Sequence, residues 1–333
     1  MWPWIKRISL LTLCLALLAS AGLGWYAFSP VPLRTDPADF SITPGSSLKT
    51  ATRQIVASGV ELGAWRFELL GRLLGKAGAI KAGSYEVGSG ITPLALLNKL
   101  TAGEVMQTEL AFIEGWTFRQ MRAALDADAE VRHDSAALSD EEIMARLGAP
   151  GRNPEGLFFP DTYLFGKGTS DLDILKRAYK AMARQLEAAW QQRAPDLPYR
   201  DPYEALIMAS VIEKETGQST DRTLIGGVFV NRLRLGMMLQ TDPTVIYGLG
   251  EKFKGNLRKK DLLSDTPHNT YTRPGLPPTP IAMPGQAALH AALNPAQTKA
   301  LYFVARGDGS SEFSRTLAEH ERAVAKYQRR GRH

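Results

Sequence analysis

The stretch Ala205–Ile212, ALIMASVI, is apolar on every side of a helical wheel except at Ser210. A helix that is hydrophobic all round has to be enclosed by other elements. Two carboxylates, Glu213 and Glu215, follow in its last turn, ahead of Gly217, which is expected to end the helix. At about 100° per residue, Glu213 falls between the directions of Leu206 and Ala209, and Glu215 between those of Met208 and Val211. The two point to roughly opposite sides and are not expected to share one site. Whichever turns inward is a carboxyl at the edge of dry surroundings, where desolvation raises its pKa toward the range of a general acid.

A chain of 333 residues, 44% of them hydrophobic, can bury a sizeable core and leads one to expect about two domains. The formal net charge of +6 suits an anionic polymer or a membrane surface as well as it suits plain solubility. Nucleic acid is not an expected partner. The single cysteine, Cys14, excludes a disulfide framework, and His133, His268, His290, His320 and His333 show no metal-ligand spacing. No metal and no other cofactor is expected.

Ile8 to Phe28 is 21 residues without a charge, long enough to span a bilayer. Lys6 and Arg7 precede it, and Asp36 and Asp39 follow soon after Arg34, which places the N-terminus in the cytoplasm and the rest of the chain outside. Trp25 and Tyr26 sit where an interfacial aromatic belt is expected. The competing reading is a cleaved signal peptide, since Ala19-Ser20-Ala21 resembles a cleavage site; the run continuing to Phe28 favours an anchor. Residues 1–30 are thus read as cytoplasmic tail and transmembrane anchor. Residues 31–39, rich in proline, are read as a linker.

From Phe40 the pattern is strand, helix, helix and return strand (Lys81 to Val87), followed by a helix with Leu94, Leu97 and Leu100. This is a small α+β module over 40–107, polar enough to be a satellite of the main core. Residues 108–333 form the larger domain, read as mixed α/β, so the fold class expected for the whole chain is α+β behind one membrane helix. Within it, Pro154 to Phe165 is dense in aromatic residues and open to two readings, core packing or a rim for stacking sugars. Asp171 is expected to cap a long amphipathic helix. Asn231 falls on the buried stripe of the helix that starts near Asp221; its amide either satisfies a core backbone group or orients a site. Gly226-Gly227 would let another helix approach closely. Asp242-Pro243 has the order of a helix cap followed by its first residue. Thr266 to Pro284 holds six prolines among 19 residues, a loop long enough to be functional or disordered. Its Asn269, Tyr271 and Arg273 could bond and stack on sugars, or serve an ordered surface loop.

Several strings together resemble one family: EGLFFPDTY at 155–163, ASVIEKET at 209–216, NRL at 231–233, LQTDPTVIY at 239–247, NTY at 269–271, GLPP at 275–278 and LYFVA at 301–305. They look like the YceG-like (MltG) family of endolytic murein transglycosylases, from about Phe40 to the C-terminus. The resemblance implies a single-pass protein of the inner membrane whose catalytic domain faces the periplasm behind a LysM-like module at 40–107. It implies Glu213 as the catalytic acid and base, peptidoglycan glycan strands as substrate, and peptidoglycan synthases as partners. Such an enzyme leaves 1,6-anhydroMurNAc ends with one carboxyl, where hydrolysis ordinarily uses two. Asn231, Gln240, Asp242, Tyr247, Asn269 and Tyr271 are the candidates for holding the sugars. The alternatives are a hydrolytic muramidase with Asp242 as second carboxylate and a non-catalytic peptidoglycan-binding envelope protein. A pyridoxal-phosphate lyase using Lys214 lacks any phosphate cradle in the sequence.

Overall fold

The computed structural model describes residues 2–216 and 218–327, so the expected helix terminator Gly217 and the final six residues lie outside the described residues. Two compact units divide the chain: one takes in the residues up to Thr108 together with Leu164–Gly168, the other Glu109–Tyr163 and the chain from Thr169 onward.

The first unit begins with helix α1 (Trp2–Phe28), whose span from Arg7 to Phe28 has a mean hydropathy of 1.9 and is unburied within the molecule apart from its last turn, where Tyr26 and Ala27 are covered. At about 1.5 Å per residue it is long enough to cross the apolar part of a bilayer. Strand β1 (Ala38–Ile42), helices α2 (Leu48–Ala57) and α3 (Ala64–Leu73), strand β2 (Gly83–Val87) and helix α4 (Pro93–Ala102) follow. The strands pair antiparallel with Phe40 opposite Tyr85, their rings stacked at 5.6 Å. Alternation along β1 sends Ala38, Phe40 and Ile42 inward, against Leu48, Ile55, Phe67, Leu97 and Leu100. The helix starts are written locally: Ser47 and Thr92 cap α2 and α4 through their hydroxyls, and Pro93 opens α4.

Two expectations need correction here. The module read as a satellite has a core of its own, because both strands and three helices each turn an apolar face to the same point. The stretch 31–39 read as a linker is part of that core: Val31 and Ala38 are buried, Val31 N–H donates to Ile91 O, and Leu33 bridges to Val60. Prolines at 30, 32 and 37 remove donors without preventing an extended segment from packing.

The second unit runs through strand β3 (Thr108–Ala111) from Glu109, helices α5 (Phe118–Ala127) and α6 (Asp140–Arg146), the first half of strand β4 (Thr162–Phe165), and helices α7 (Asp171–Gln191), α8 (Pro202–Glu215), α9 (Ser219–Arg234), α10 (Asp242–Leu249), α11 (Lys259–Leu262) and α12 (Gln286–Leu293). It closes with the hairpin β5 (Tyr302–Ala305) and β6 (Ser311–Ser314) and helix α13 (Leu317–Tyr327). The described strands form three two-stranded sheets. The expected mixed α/β domain is therefore mainly helical, and no broad sheet supports it. The reason lies in α8, whose residues from Ala205 to Ile212 are all buried. Helices α7, α9, α10 and α12 pack on it, so its apolar circumference is enclosed by helices. Asp201 caps α8 by accepting from Glu204 N–H, and Pro202 occupies its first turn.

The one polar residue inside α8 is satisfied and useful. Ser210 Oγ donates to Ile207 O at 2.7 Å and accepts Ile281 N–H at 3.0 Å, which fastens the proline-rich segment to the helix. That segment is ordered: Ile281, Ala282 and Met283 are buried, and Met283 exchanges two backbone hydrogen bonds with Gly115 and Trp116. The aromatic stretch after Pro154 proves to be core, with Phe158 stacked on Phe118 at 4.9 Å. The cap of α7 also shifts by one residue. Ser170 precedes the helix, and Asp171 is its first residue, fully buried, accepting from Ser135 N–H and Oγ–H. Its side chain holds a distant loop and also accepts Leu172 N–H at 2.7 Å in the first turn of its own helix.

Gly226 and Gly227 permit the close approach read from the sequence. A methyl group on either would lie 2.5 Å from a backbone carbonyl oxygen, that of Ala291 in α12 or of Ala296 just beyond it. Alanine gains about 0.5–1 kcal/mol over glycine inside a helix, but overpacking against backbone that cannot retreat costs about 1–3 kcal/mol. The clash wins. Gly226→Ala is therefore expected to lower the urea midpoint of unfolding; an unchanged or raised midpoint would show that the two helices can separate freely.

Candidate active site

Helix α8 delivers three consecutive side chains to three surroundings. Glu213, with its side chain 5% exposed, accepts Gly285 N–H on Oε2 at 2.9 Å and lies 3.3 Å from Arg222 Nη2 through Oε1. Lys214 donates to Gly115 O at 3.1 Å and lines a cleft of about 1310 Å³. Glu215 turns the other way and accepts the hydroxyl of Thr241, at the start of α10. The opposition of Glu213 and Glu215 on the wheel is thus realised. The single inward carboxyl is not, since both are drawn inside.

The cleft lies within the second unit and runs past Thr117, Arg119, Arg152, Glu155, Tyr247 and Phe253. It exceeds the roughly 300–1,000 Å³ of pockets for small ligands, and it is walled by both charged and apolar groups. Glu155 is a buried carboxyl that the sequence reading gave no role. Its Oε1 accepts Phe118 N–H at 3.0 Å and its Oε2 accepts the Tyr247 hydroxyl at 3.1 Å. Gly156 beside it holds φ +79°, and a Cβ there would run into Pro280, so only glycine lets the chain turn at this point. An acidic residue at the head of an otherwise apolar, aromatic string was the available signal.

Electrostatics distinguish the three carboxyls. Burial pushes Glu155 up to about 7, against the opposing pull of the Phe118 N–H and the Tyr247 hydroxyl. Burial likewise raises Glu215 to about 7; the Thr241 hydroxyl and Arg232 oppose it and Asp242 reinforces it. Glu213 is raised by burial first, then held back by Gly285 N–H and Arg222, with Glu114 adding to the rise and Lys214 opposing it. Desolvation therefore dominates at all three. Burial also lowers His268, favouring a neutral ring that packs edge-on against Tyr247 and shares a hydrogen bond with Thr279.

The candidates for holding sugars separate into three groups. Asn231 donates to Thr298 O and Ala300 O, so its amide satisfies core backbone groups ahead of β5. Asn269 is fully buried and donates to Leu262 O and Ser264 O while accepting Tyr271 N–H. These two amides position loops. Tyr247 alone of the six lines the cleft. Gln240, Asp242 and Tyr271 form the third group, near Glu215. Tyr271 donates to Asp242 Oδ1 at 2.6 Å, and Gln240 is exposed with φ +52°. Thr241, not Asp242, stands before α10; Asp242 is in its first turn, where a negative charge complements the helix end. Arg232 binds this group together, donating to the carbonyls of Leu239 and Leu301 and leaving Glu215 facing a buried cation. Arg273, the other side chain offered for sugars, is paired with Asp265. Among the described residues, no group of three His, Cys, Asp or Glu side chains is arranged to hold a metal ion.

Residues 40–326 match the YceG-like family. An endolytic murein transglycosylase of Bacillus subtilis (strain 168) is 32% identical over 308 residues, covering 87% of this chain and 84% of the relative. One of Streptococcus pneumoniae (strain D39) is 27% identical over 286 residues, which is 74% of this chain but 51% of that longer protein. A crystal structure of a yceG-like protein from Listeria monocytogenes superposes with a TM-score of 0.55 at 29% identity, covering 86% of this chain and 98% of the other. With the match spanning nearly all of the chain beyond the N-terminal apolar helix, this protein belongs to the YceG-like family.

Proposed function

We propose that this protein is a membrane-anchored endolytic transglycosylase that cuts the β-1,4 bond between MurNAc and GlcNAc in peptidoglycan, with Glu213 as acid and then base. The observation that carries the reading is the setting of Glu213, a carboxyl raised by burial next to the residue that faces the cleft. The relatives named as murein transglycosylases support the substrate.

One carboxyl suffices for the reaction. Protonated Glu213 donates to the glycosidic oxygen, the C1–O bond breaks, and positive charge develops on the MurNAc ring. The carboxylate left behind accepts the proton of the C6 hydroxyl of the same MurNAc as that oxygen bonds to C1. No water enters, and the attack is intramolecular. A group with both duties works best with a pKa near the operating pH. Burial and Glu114 favour the protonated form of Glu213, whereas Gly285 N–H and Arg222 steady the carboxylate once the proton has left. Tyr247, Gln240, Asp242 and Tyr271 are the residues proposed to hold sugars, and Asn231 and Asn269 act by positioning loops.

Lys6 and Arg7 before the apolar span support an N-terminus in the cytoplasm and a catalytic unit in the periplasm. The strand–helix–helix–strand order of the first unit supports a LysM-like module that binds glycan. Synthases that polymerise glycan strands would supply the substrate and are the expected partners.

Incubation of the full-length enzyme with purified murein sacculi tests the reading. New termini should carry the mass of anhydroMurNAc, one water lighter than hydrolysed ends; hydrolysed ends alone would establish a muramidase. Glu213→Gln should lower cleavage by about 10²–10⁴-fold, the range a general acid contributes, with an unchanged circular dichroism spectrum. Glu215→Gln, able to keep its bond to Thr241, should lose far less. Equal losses would remove the distinction between the two.

The acid step also sets the pH dependence. A general acid works below its own pKa and fails as pH rises through it, so a raised pKa moves the alkaline limb of kcat above the ordinary glutamate value of about 4.3. Glu114→Gln removes a like charge and should shift that limb to lower pH. Arg222→Gln removes an opposing charge and should shift it to higher pH. Profiles that coincide with the parent would mean that Glu213 does not govern the limb.

A further inference from the structure

Helix α3 has two faces of equal greasiness. Phe67, Leu70 and Gly71 turn into the core of the first unit. On the opposite side Trp65 is 67% exposed, Leu69 39%, Leu73 66% and the adjoining Leu74 47%. Trp65, Leu69 and Leu73 recur every fourth residue and so form one stripe along the helix. An apolar stripe of this size on a soluble face signals an interaction surface.

The start of α3 is tied to the end of α1. The Tyr26 hydroxyl donates to Gly63 O, the residue that precedes α3, at 3.2 Å. The Arg66 guanidinium lies 5.8 Å from the Tyr26 ring centre and 5.4 Å from that of Trp65. One cation thus spans the gap between the last turn of the apolar helix and the first turn of α3. On α1 itself, Trp25 and Phe28 remain 73% and 70% exposed. The end of α1, where Trp25 and Phe28 lie exposed, is thus tied through buried Tyr26 and Arg66 to the start of the stripe at Trp65.

We infer that the outer face of α3 lies in the surface of the same lipid bilayer that α1 crosses, with Trp65, Leu69 and Leu73 at the boundary between headgroups and acyl chains. The chemistry fits that occupant. Tryptophan favours the interface, where its ring is apolar and its N–H stays wet. Arg66 and Arg72 flank the stripe; Arg72 pairs with Glu68 at 3.8 Å, and its side chain is 69% exposed, so the guanidinium can also face lipid phosphate. An interfacial helix of this type buries its apolar side about 5–10 Å into the boundary. The first unit would then hang on the membrane by two elements, one crossing and one lying flat. Rotation of the unit about the axis of α1 would be restrained in consequence.

Site-directed spin labelling of the full-length protein in vesicles of phosphatidylethanolamine and phosphatidylglycerol tests this. In a Cys14→Ser background, nitroxides are placed singly by Trp65→Cys, Leu69→Cys, Leu73→Cys and, as a water-facing control on the exposed side of β2, Glu86→Cys. Native Cys14, within the apolar helix, is labelled as the membrane reference. Each position is read by its accessibility to oxygen, which partitions into lipid, against a water-soluble nickel complex. Labels at 65, 69 and 73 are expected to favour oxygen as Cys14 does, at a depth of about 5–10 Å, while position 86 favours nickel. If 69 and 73 match position 86 while Cys14 reports lipid, the anchor stands and the inference about α3 is overturned. Shielding from both reagents overturns it as well, since a second copy or another protein would then cover the stripe. A water-like signal at Cys14 would remove the anchor reading and this inference together. All the labelled side chains of the stripe are exposed, and the circular dichroism of each variant should match that of the parent.

Discussion

Enclosing α8 is the constraint from which the second unit follows. A helix with no polar side has to be covered by several others, and α7, α9, α10 and α12 do this. Their approach requires small residues where backbones meet, which explains Gly226 and Gly227 against the end of α12. It also fixes where α8 stops. After Glu204 in its first turn, charged residues return to the helix only where the buried run Ala205–Ile212 ends, and those residues are Glu213, Lys214 and Glu215. A rigid, packed rod thus carries Glu213, the proposed acid, at its tip, and the core sets its orientation.

At that tip the protein balances two opposed demands. A carboxyl in dry surroundings keeps its proton, while one beside an arginine and a backbone N–H gives it up. Glu213 has both kinds of neighbour, and the raised pKa shows that burial outweighs the pair with Arg222. Removing either side of the balance would leave a group fit for one half of the reaction only. Gly285, which supplies the N–H, terminates the proline-rich segment that Ser210, Trp116 and Gly115 hold down. The ordering of that segment therefore fixes one hydrogen bond to the carboxyl proposed to move the proton.

Much of this was legible in the residues because local rules and the final fold agree. The apolar run of α8 and the glycine pair in α9 act as their spacing implies. The failures have a common physical cause: polar side chains whose partners are distant in sequence. Asp171 reads as a helix cap until Ser135, 36 residues away, is seen to donate to it. Asn231 bonds carbonyls 67 and 69 residues ahead, and Asn269 is buried under a loop that periodicity cannot describe. The prolines of 30–37 suggest a linker because the groove that receives them is made by residues near 60 and 91. Wheel geometry correctly separated Glu213 from Glu215, yet it could not reveal that α10 and its flanking turn bury the second one too.

Glu155 illustrates how a residue without an assigned role gains one from its partners. Its two oxygens accept one backbone N–H and one phenol, and that phenol belongs to the cleft wall. A tyrosine whose proton is committed to a carboxylate offers only lone pairs to anything else. While Glu155 is ionised, Tyr247 can therefore receive a hydrogen bond from a sugar hydroxyl or an acetamido N–H but cannot give one. With Glu155 protonated, the carboxyl can donate to the phenol and free the phenol's own proton for a sugar oxygen. Burial pushes Glu155 up to about 7, so both states are accessible near neutral pH. The polarity of one contact in the cleft is thus governed by a carboxyl that takes no part in breaking the bond, and the strain-free turn at Gly156 against Pro280 keeps it there.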